Sequence, residues 1–153
     1  MFLSLLAVVA LVLEPQVSVF KKDMSPLQSA METLIASTGV QILEKPRAAY
    51  IEGYGVVITM YIAFEPPQGI FSTPKPAKEL QSVVAQRRKD LQDKLKTFVK
   101  RQVLVTDSIG ANDSLAVILH VLNTNPVDLP NLPVQILVIA KKDSQLEPQF
   151  REF

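Results

Sequence analysis

The residues with the broadest catalytic chemistry are scarce in this chain. It contains a single histidine, His120, and no cysteine. Histidine serves as a general base or a metal ligand near neutral pH. His120, however, stands between Leu119 and Val121 in an apolar segment typical of a strand. We therefore expect His120 to be a structural residue of the core, with a catalytic or ligand role as the alternative.

Other sequence signatures of catalysis and cofactor binding are missing. There is no Gly-x-Ser-x-Gly elbow, and the histidine spacings of zinc sites do not occur. The five glycines form neither a Walker loop nor a dinucleotide-binding fingerprint. Asp90 and Asp93 share one helical face, where basic neighbours predict surface ion pairs. The sequence thus predicts no catalytic residue, no metal site and no cofactor.

The most unusual local segment is YIEGYG at residues 50–55. Glycine weakens a strand, so two glycines around one tyrosine indicate a bulge, a tight hairpin corner or a close approach of another backbone. One hypothesis is an aromatic binding edge, to which Tyr61 adds a further ring. The alternative is a hairpin whose tyrosines pack against cross-strand neighbours. The candidate edge consists of Tyr50, Gly53, Tyr54 and Gly55.

A second feature is the positive charge of residues 75–101, which carry nine basic and three acidic side chains, a local net charge of +6. Such a stripe is either a solvated helix face or a surface for an anionic membrane, a cell-wall polymer or an acidic envelope protein. The whole chain has 16 basic and 15 acidic residues, so no nucleic-acid partner is expected. The candidate anion-binding face consists of Arg87, Arg88, Lys94 and Arg101.

The N-terminal segment predicts export. Residues 2–13 (FLSLLAVVALVL) are uncharged and apolar except for Ser4, and this run is shorter than a membrane span of about 20 residues but long enough for the hydrophobic region of a signal peptide. We expect a signal peptide or membrane segment at residues 1–20, with cleavage near Ser18–Phe20, and a single domain at 21–153. Two alternatives remain: an uncleaved segment that tethers an exported protein to the membrane, and a buried element of the domain itself.

Two helices are predicted to position these residues. Ser25 and Pro26 suit a helix start, Gln28 completes a capping box, and Gly39 suits the stop. The second helix begins near Pro76 and continues at least to Arg101. Residues 102–105 (QVLV) favour either a continued helix or a strand, and we expect the helix to end at residues 107–110.

Five strands are predicted, at 40–44, 48–52, 56–64, 115–122 and 134–140, followed by a polar tail with a helical turn near Pro148. The strand at 56–64 is apolar on both faces, which predicts a central position with its second face partly covered, for example by a partner chain. The order of elements predicts an α+β fold, in which a mostly antiparallel sheet of about five strands packs against two helices.

The segment 49–61 (AYIEGYGVVITMY) and the last strand, which runs into Ala140-Lys141-Lys142-Asp143-Ser144, resemble a group of uncharacterised exported bacterial proteins. In that group a leader precedes a helix, a Tyr-x-x-Gly-Tyr-Gly strand, a long charged helix and a final strand that ends in Lys-Lys. The resemblance implies export and a shared fold. It transfers no catalytic residue, and the uncharged start of this chain departs from the group's leader.

Two classes of function follow from the sequence. The first is a non-enzymatic binding or scaffolding module of the bacterial envelope, periplasmic or extracellular, for which two-faced apolar strands also suggest a homodimer. The second is a hydrolase or transferase with a site near Glu52, Tyr54 and His120. An enzyme predicts that these three side chains converge on a pocket.

Overall fold

A computed structural model of the chain describes residues 14–66 and 69–153. The described elements form one sheet, with strand order β1-β2-β3-β4-β5, and two helices. Only the β2–β3 pair is parallel, and the other three pairs are antiparallel. The predicted α+β fold is therefore confirmed. In chain order the elements are α1 (Glu14–Ala36), β1 (Gln41–Ile51), β2 (Gly55–Ala63), α2 (Ala77–Val105), β3 (Ser114–Val121), β4 (Gln135–Lys141) and β5 (Gln149–Glu152).

Both helices pack on the same face of the sheet. Alternate residues of the central strands point toward them, and Val56, Ile58, Val117 and Val138 are fully buried there. Each helix turns its apolar side toward the sheet, as Ile35 of α1 shows. These side chains and those of the strands form a single core cluster. The parallel pairing of β2 with β3 follows from α2, because a crossover helix returns the chain in the same direction along the sheet.

The start of α1 corrects the expected helix boundary. The helix begins at Glu14 rather than Ser25, and Pro26 lies inside it. Phe20, which is 9% exposed, continues the buried stripe of Leu27 and Met31 one further step toward the N-terminus. Burial of this ring offsets the backbone hydrogen bond that an interior proline forfeits. Gln28 does not close a capping box, because its Nε2 donates to the carbonyl of Pro46.

The two predicted strands at 40–44 and 48–52 are one edge strand, β1. The expected turn at residues 45–47 is instead a pair of register shifts, between Ile42 and Glu44 and between Glu44 and Arg47. Bulges of this kind absorb Pro46, which has no N–H for the ladder, without ending the strand. A proline in an edge strand is therefore a poor marker of a turn.

The end of α2 and the polar tail can be compared with two predictions from the sequence. Residues 102–105 continue α2, as expected, but the helix ends at Val105, before the expected end at residues 107–110. The backbone N–H of Thr106 still donates to the carbonyl of Gln102. The polar tail contains a strand, β5, where a helical turn was expected. Phe150 of β5 lies opposite Val138 and packs against the core, which fixes this short segment at the sheet edge.

The predicted leader lies mostly outside the described residues. Its apolar run at 2–13 is not described, whereas residues 14–20 belong to α1. The ring of Phe20 packs on Tyr50, with centroids 6.1 Å apart. The fold of the domain therefore includes Phe20, one residue before the predicted boundary at 21.

Candidate functional site

The YIEGYG segment forms the hairpin between β1 and β2. Gly53 and Gly55 have φ of +75° and +120°, which L side chains rarely adopt. A Cβ on Gly55 would lie 2.2 Å from the carbonyl oxygen of Ser114, and the Ser114 N–H donates to the carbonyl of Tyr54 at 2.7 Å. The glycines thus serve both a tight corner and a close backbone approach to β3.

The three tyrosines do not form one binding edge. Tyr50 points toward the helix layer, where burial and the nearby carboxylate of Asp113 raise its pKa. Burial also raises the pKa of Tyr54, which occupies the hairpin turn. Tyr61 lies on the opposite face of the sheet and is 46% exposed. Tyr50 is aligned with Val56, and Tyr61 lies five residues further along β2, an odd spacing that puts the two rings on opposite faces of the sheet.

Most of the predicted anion-binding face holds the fold together. Arg87 donates to the carbonyl of Phe64 at 2.7 Å and to Glu65 at 2.6 Å. Two further cations of α2 contact neighbouring elements. Arg88 forms an ion pair with Glu152 of β5, and Lys94 donates to the carbonyl of Ser37 at the end of α1. Arg101 is exposed and has no partner among the described residues.

His120 is not a core residue, which corrects the sequence-based expectation. It lies partly exposed on the face of the sheet away from the helices, because its register partner is Tyr61. The two rings stack with centroids 4.7 Å apart and planes 22° apart. The apolar segment around His120 correctly predicted a strand. It could not predict the face of the sheet on which His120 lies, because contacts with other elements decide which face is covered.

The residues of the enzymatic alternative are far apart. The backbone of Tyr54 contacts Ser114 at the start of β3, and Glu52 lies in the same hairpin. His120 lies six residues further along β3, which corresponds to about 20 Å along a strand. The structure therefore brings Tyr54 and Glu52 near one another and separates both from His120.

A small cleft of about 240 Å³ adjoins the Tyr61–His120 stack. Glu44 and Arg47 of β1 line its other side, and these two side chains form an exposed ion pair at 3.6 Å. Tyr61 lies between Glu44 and His120 in cross-strand register. Within residues 14–66 and 69–153, no group of three or more histidine and acidic side chains is arranged to hold a metal ion.

The face of the sheet away from the helices carries a continuous apolar surface, which we call the outer sheet face. No helix of the described residues packs on it. Its side chains come from four adjacent strands that the register aligns in rows. The apolar pattern on both sides of the central strands is visible in the sequence, but the alignment of one strand with the next is not. The outer sheet face consists of Ala49, Ile51, Val57, Thr59, Tyr61, Ala116, Ile118, His120, Leu137 and Ile139.

A second surface is the groove between α1 and α2 on the solvent side of the helix layer, with a volume of about 680 Å³. We call it the interhelical groove. Its apolar lining includes Leu34 and Phe98, and its cations are Lys94 and Arg101. It was missed by sequence analysis because the small residues of α1 that leave it open resemble an ordinary solvated stripe.

Comparisons with protein-family models, with curated proteins and with solved structures find no match to this chain. Neither α1 nor α2, the helices of the described part of the chain, is both long and apolar enough to cross a bilayer.

Proposed function

We propose that this protein is a non-enzymatic scaffolding and binding module of the bacterial envelope, and that it assembles as a homodimer through the outer sheet face. The observation that carries the proposal is the apolar, uncovered character of this face. The apolar run at residues 2–13 and the resemblance to exported bacterial proteins support the envelope location.

The register of the sheet concentrates apolar side chains at the centre of the outer sheet face. Ile118 of β3 is aligned with Leu137 of β4, and both are partly exposed. In the next row, Val57 and Ile139 flank Ala116. Antiparallel sheets with one solvated face normally place polar residues there. A contiguous apolar patch instead marks a surface that is covered in the functional state.

The size of the outer sheet face suits a second copy. The four strands of the outer sheet face, spaced about 4.8 Å apart, give a width of roughly 19 Å. The eight residues of β3 give a length of roughly 26 Å. The product is roughly 500 Å² of flat area. Protruding side chains such as Tyr61 add accessible surface, so the face is of the same order as the roughly 800 Å² that each partner buries in a standard interface. Two such faces stacked together would form a sandwich with the usual spacing between sheets.

The rim of the outer sheet face has the composition of an interface rather than of a buried core. Tyr61 protrudes beside His120 with 46% of its surface exposed. Arg47 and Arg151 lie in the row of Ile118, at the two edges of the sheet. Aromatic and arginine side chains are the usual anchors of protein interfaces. In a dimer with a two-fold axis, each of these anchor residues would occur twice in the interface.

Light scattering after size-exclusion chromatography tests the dimer. We expect the wild-type protein to show twice the mass of its own chain, which is 16.9 kDa when uncleaved. Ile118→Lys should give the monomer mass, because the charge would be buried without a partner at the centre of the interface. Tyr61→Ser, at an exposed position that tolerates substitution, should weaken the dimer at least roughly tenfold through loss of an anchor residue.

Val127→Lys is the matched control, because Val127 is 86% exposed in the β3–β4 connection and lies off the outer sheet face. It should leave the dimer intact, and circular dichroism should confirm that each variant is folded. A wild-type monomer at about 100 µM, where a dimer with Kd of about 10 µM would still be populated, contradicts the homodimer. Recovery of the protein only from the cytosol on fractionation contradicts the envelope location separately.

A further inference from the structure

We propose that the interhelical groove binds a monomeric anionic amphiphile, a molecule with one acyl chain and an acidic headgroup. This inference deepens the binding role in the proposed function. The groove lies in the helix layer and the outer sheet face lies on the other side of the sheet, so ligand binding and dimerisation are measured independently.

The groove exists because the two helices are tied at its ends and separated between them. At one end, Lys94 of α2 donates to the carbonyl of Ser37 at 2.9 Å. Beyond the other end, the backbone N–H of Ser108, in the loop that follows α2, donates to Oδ2 of Asp23 in α1 at 2.8 Å. Between these ties, α1 presents Ser29, Ala30 and Thr33 toward the groove, and such short side chains do not fill the space to α2.

The floor of the groove is apolar. Phe98 is 8% exposed and belongs to the core, and Leu34 and Ala30 pack against that core. The hydroxyl of Thr33 donates to the carbonyl of Ser29, and that of Thr97 donates to the carbonyl of Asp93. These hydroxyl hydrogens are therefore satisfied within their own helices. An acyl chain on this floor would lose no strong hydrogen bond of the protein.

The dimensions and the charge of the groove determine the class of ligand. The lining of α1 from Ser29 to Ser37 corresponds to about 12 Å of helix, the length of a medium acyl chain. The volume of about 680 Å³ lies within the roughly 300–1,000 Å³ of small-molecule sites. Lys94 and Arg101 outnumber the single carboxylate, Asp93. Since Arg101 has no described partner, its guanidinium is available for a carboxylate or phosphate.

Decanoate and decanol, titrated into the full-length protein below their aggregation concentrations, test the inference. We expect saturable decanoate binding, with chemical-shift changes at Ala30, Leu34 and Phe98, and at least roughly tenfold weaker binding of decanol. Arg101→Gln should weaken decanoate binding roughly tenfold and leave decanol binding unchanged. Ala30→Trp should weaken both ligands, because the indole would occupy the groove.

Lys89→Gln is the control, since Lys89 is an exposed cation of α2 that does not line the groove. It should change neither affinity by more than about twofold. Equal affinity for decanoate and decanol, or decanoate binding that survives Ala30→Trp in a folded protein, would overturn the inference. So would binding only to vesicles of phosphatidylglycerol, which would identify an anionic membrane surface as the partner of the helix layer.

Discussion

At the residue scale, the same residue type serves different purposes according to its neighbours. Arg87 and Arg101 belong to one helix and to one basic stripe, yet Arg87 ties α2 to Phe64 and Glu65 while Arg101 faces solvent. The glycines of the hairpin differ in a similar way. Gly53 has open space around it, whereas Gly55 lies against the backbone of Ser114. Substitution of Gly53 and substitution of Gly55 should therefore lower the free energy of unfolding by different amounts.

Gly55→Ala should destabilise the protein by about 3 kcal/mol, because the methyl group would meet the Ser114 carbonyl in addition to the strain of a positive φ. Gly53→Ala introduces only the backbone strain of a positive φ and should lower the free energy of unfolding by about 1 kcal/mol. Urea denaturation followed by circular dichroism measures both. Equal losses for the two variants would show that the contact with β3 contributes nothing.

At the element scale, the position of α1 is the finding that changes the description of the domain. The sequence-based boundaries assigned Phe20 to the leader at residues 1–20, and a helix that started at Ser25 would leave it outside the domain. In the structure Phe20 instead covers one end of the core beside Tyr50. The interior Pro26 lowers the local helix propensity, but packing of the apolar stripe determines where α1 begins.

Phe20→Ala should therefore lower the free energy of unfolding by about 3 kcal/mol, the usual cost of removing a buried aromatic side chain. Lys22→Ala, at an exposed position two residues later, should change it by less than about 0.5 kcal/mol. Thermal or urea unfolding of the two variants supplies the comparison. A Phe20→Ala protein as stable as wild type would place the start of the stabilising helix after residue 20.

At the scale of the whole molecule, the single helix layer divides the surface into two sides with different properties. Residues toward the helices form the core, and the opposite side of the sheet retains the apolar outer sheet face. Tyr50 packs against the core on the covered side, Tyr54 lies in the hairpin turn, and burial raises the pKa of both. The stability of the folded protein must then depend on pH in the alkaline range.

The sign of this dependence follows from the direction of the shifts. A tyrosine whose pKa is higher in the folded state than the ordinary value of 10.0 favours folding while it is protonated. Its contribution should be fully present below pH 10 and be lost as the pH rises through the folded-state pKa. Tyr50→Phe combined with Tyr54→Phe should flatten this part of the decline in unfolding free energy. An unchanged alkaline slope in the double variant would contradict the assignment.

Local sequence patterns determined much of the fold. The helical spacing that ends at Gly39, the long charged helix and the three central strands are all present, because the period of apolar residues acts within one element. The errors occur where tertiary contacts override a local signal. Pro26 and Pro46 suggested a helix start and a turn, and neither interrupts its element. Phe150 stabilises a strand in a segment whose polar composition did not predict one.

The candidate surfaces could be predicted from the sequence only in part. The sequence by itself determined that the central strands are apolar on both faces and that α2 is basic, and it left the role of Gly53 and Gly55 among a bulge, a hairpin corner and a close backbone approach. Only the tertiary structure decided that Ile118 is aligned with Thr59 and Leu137, that His120 faces outward, and that Arg101 alone among the four candidate cations lacks a described partner. The reason is that these facts depend on strand register and helix placement, which join residues far apart in the chain through contacts that no local pattern specifies.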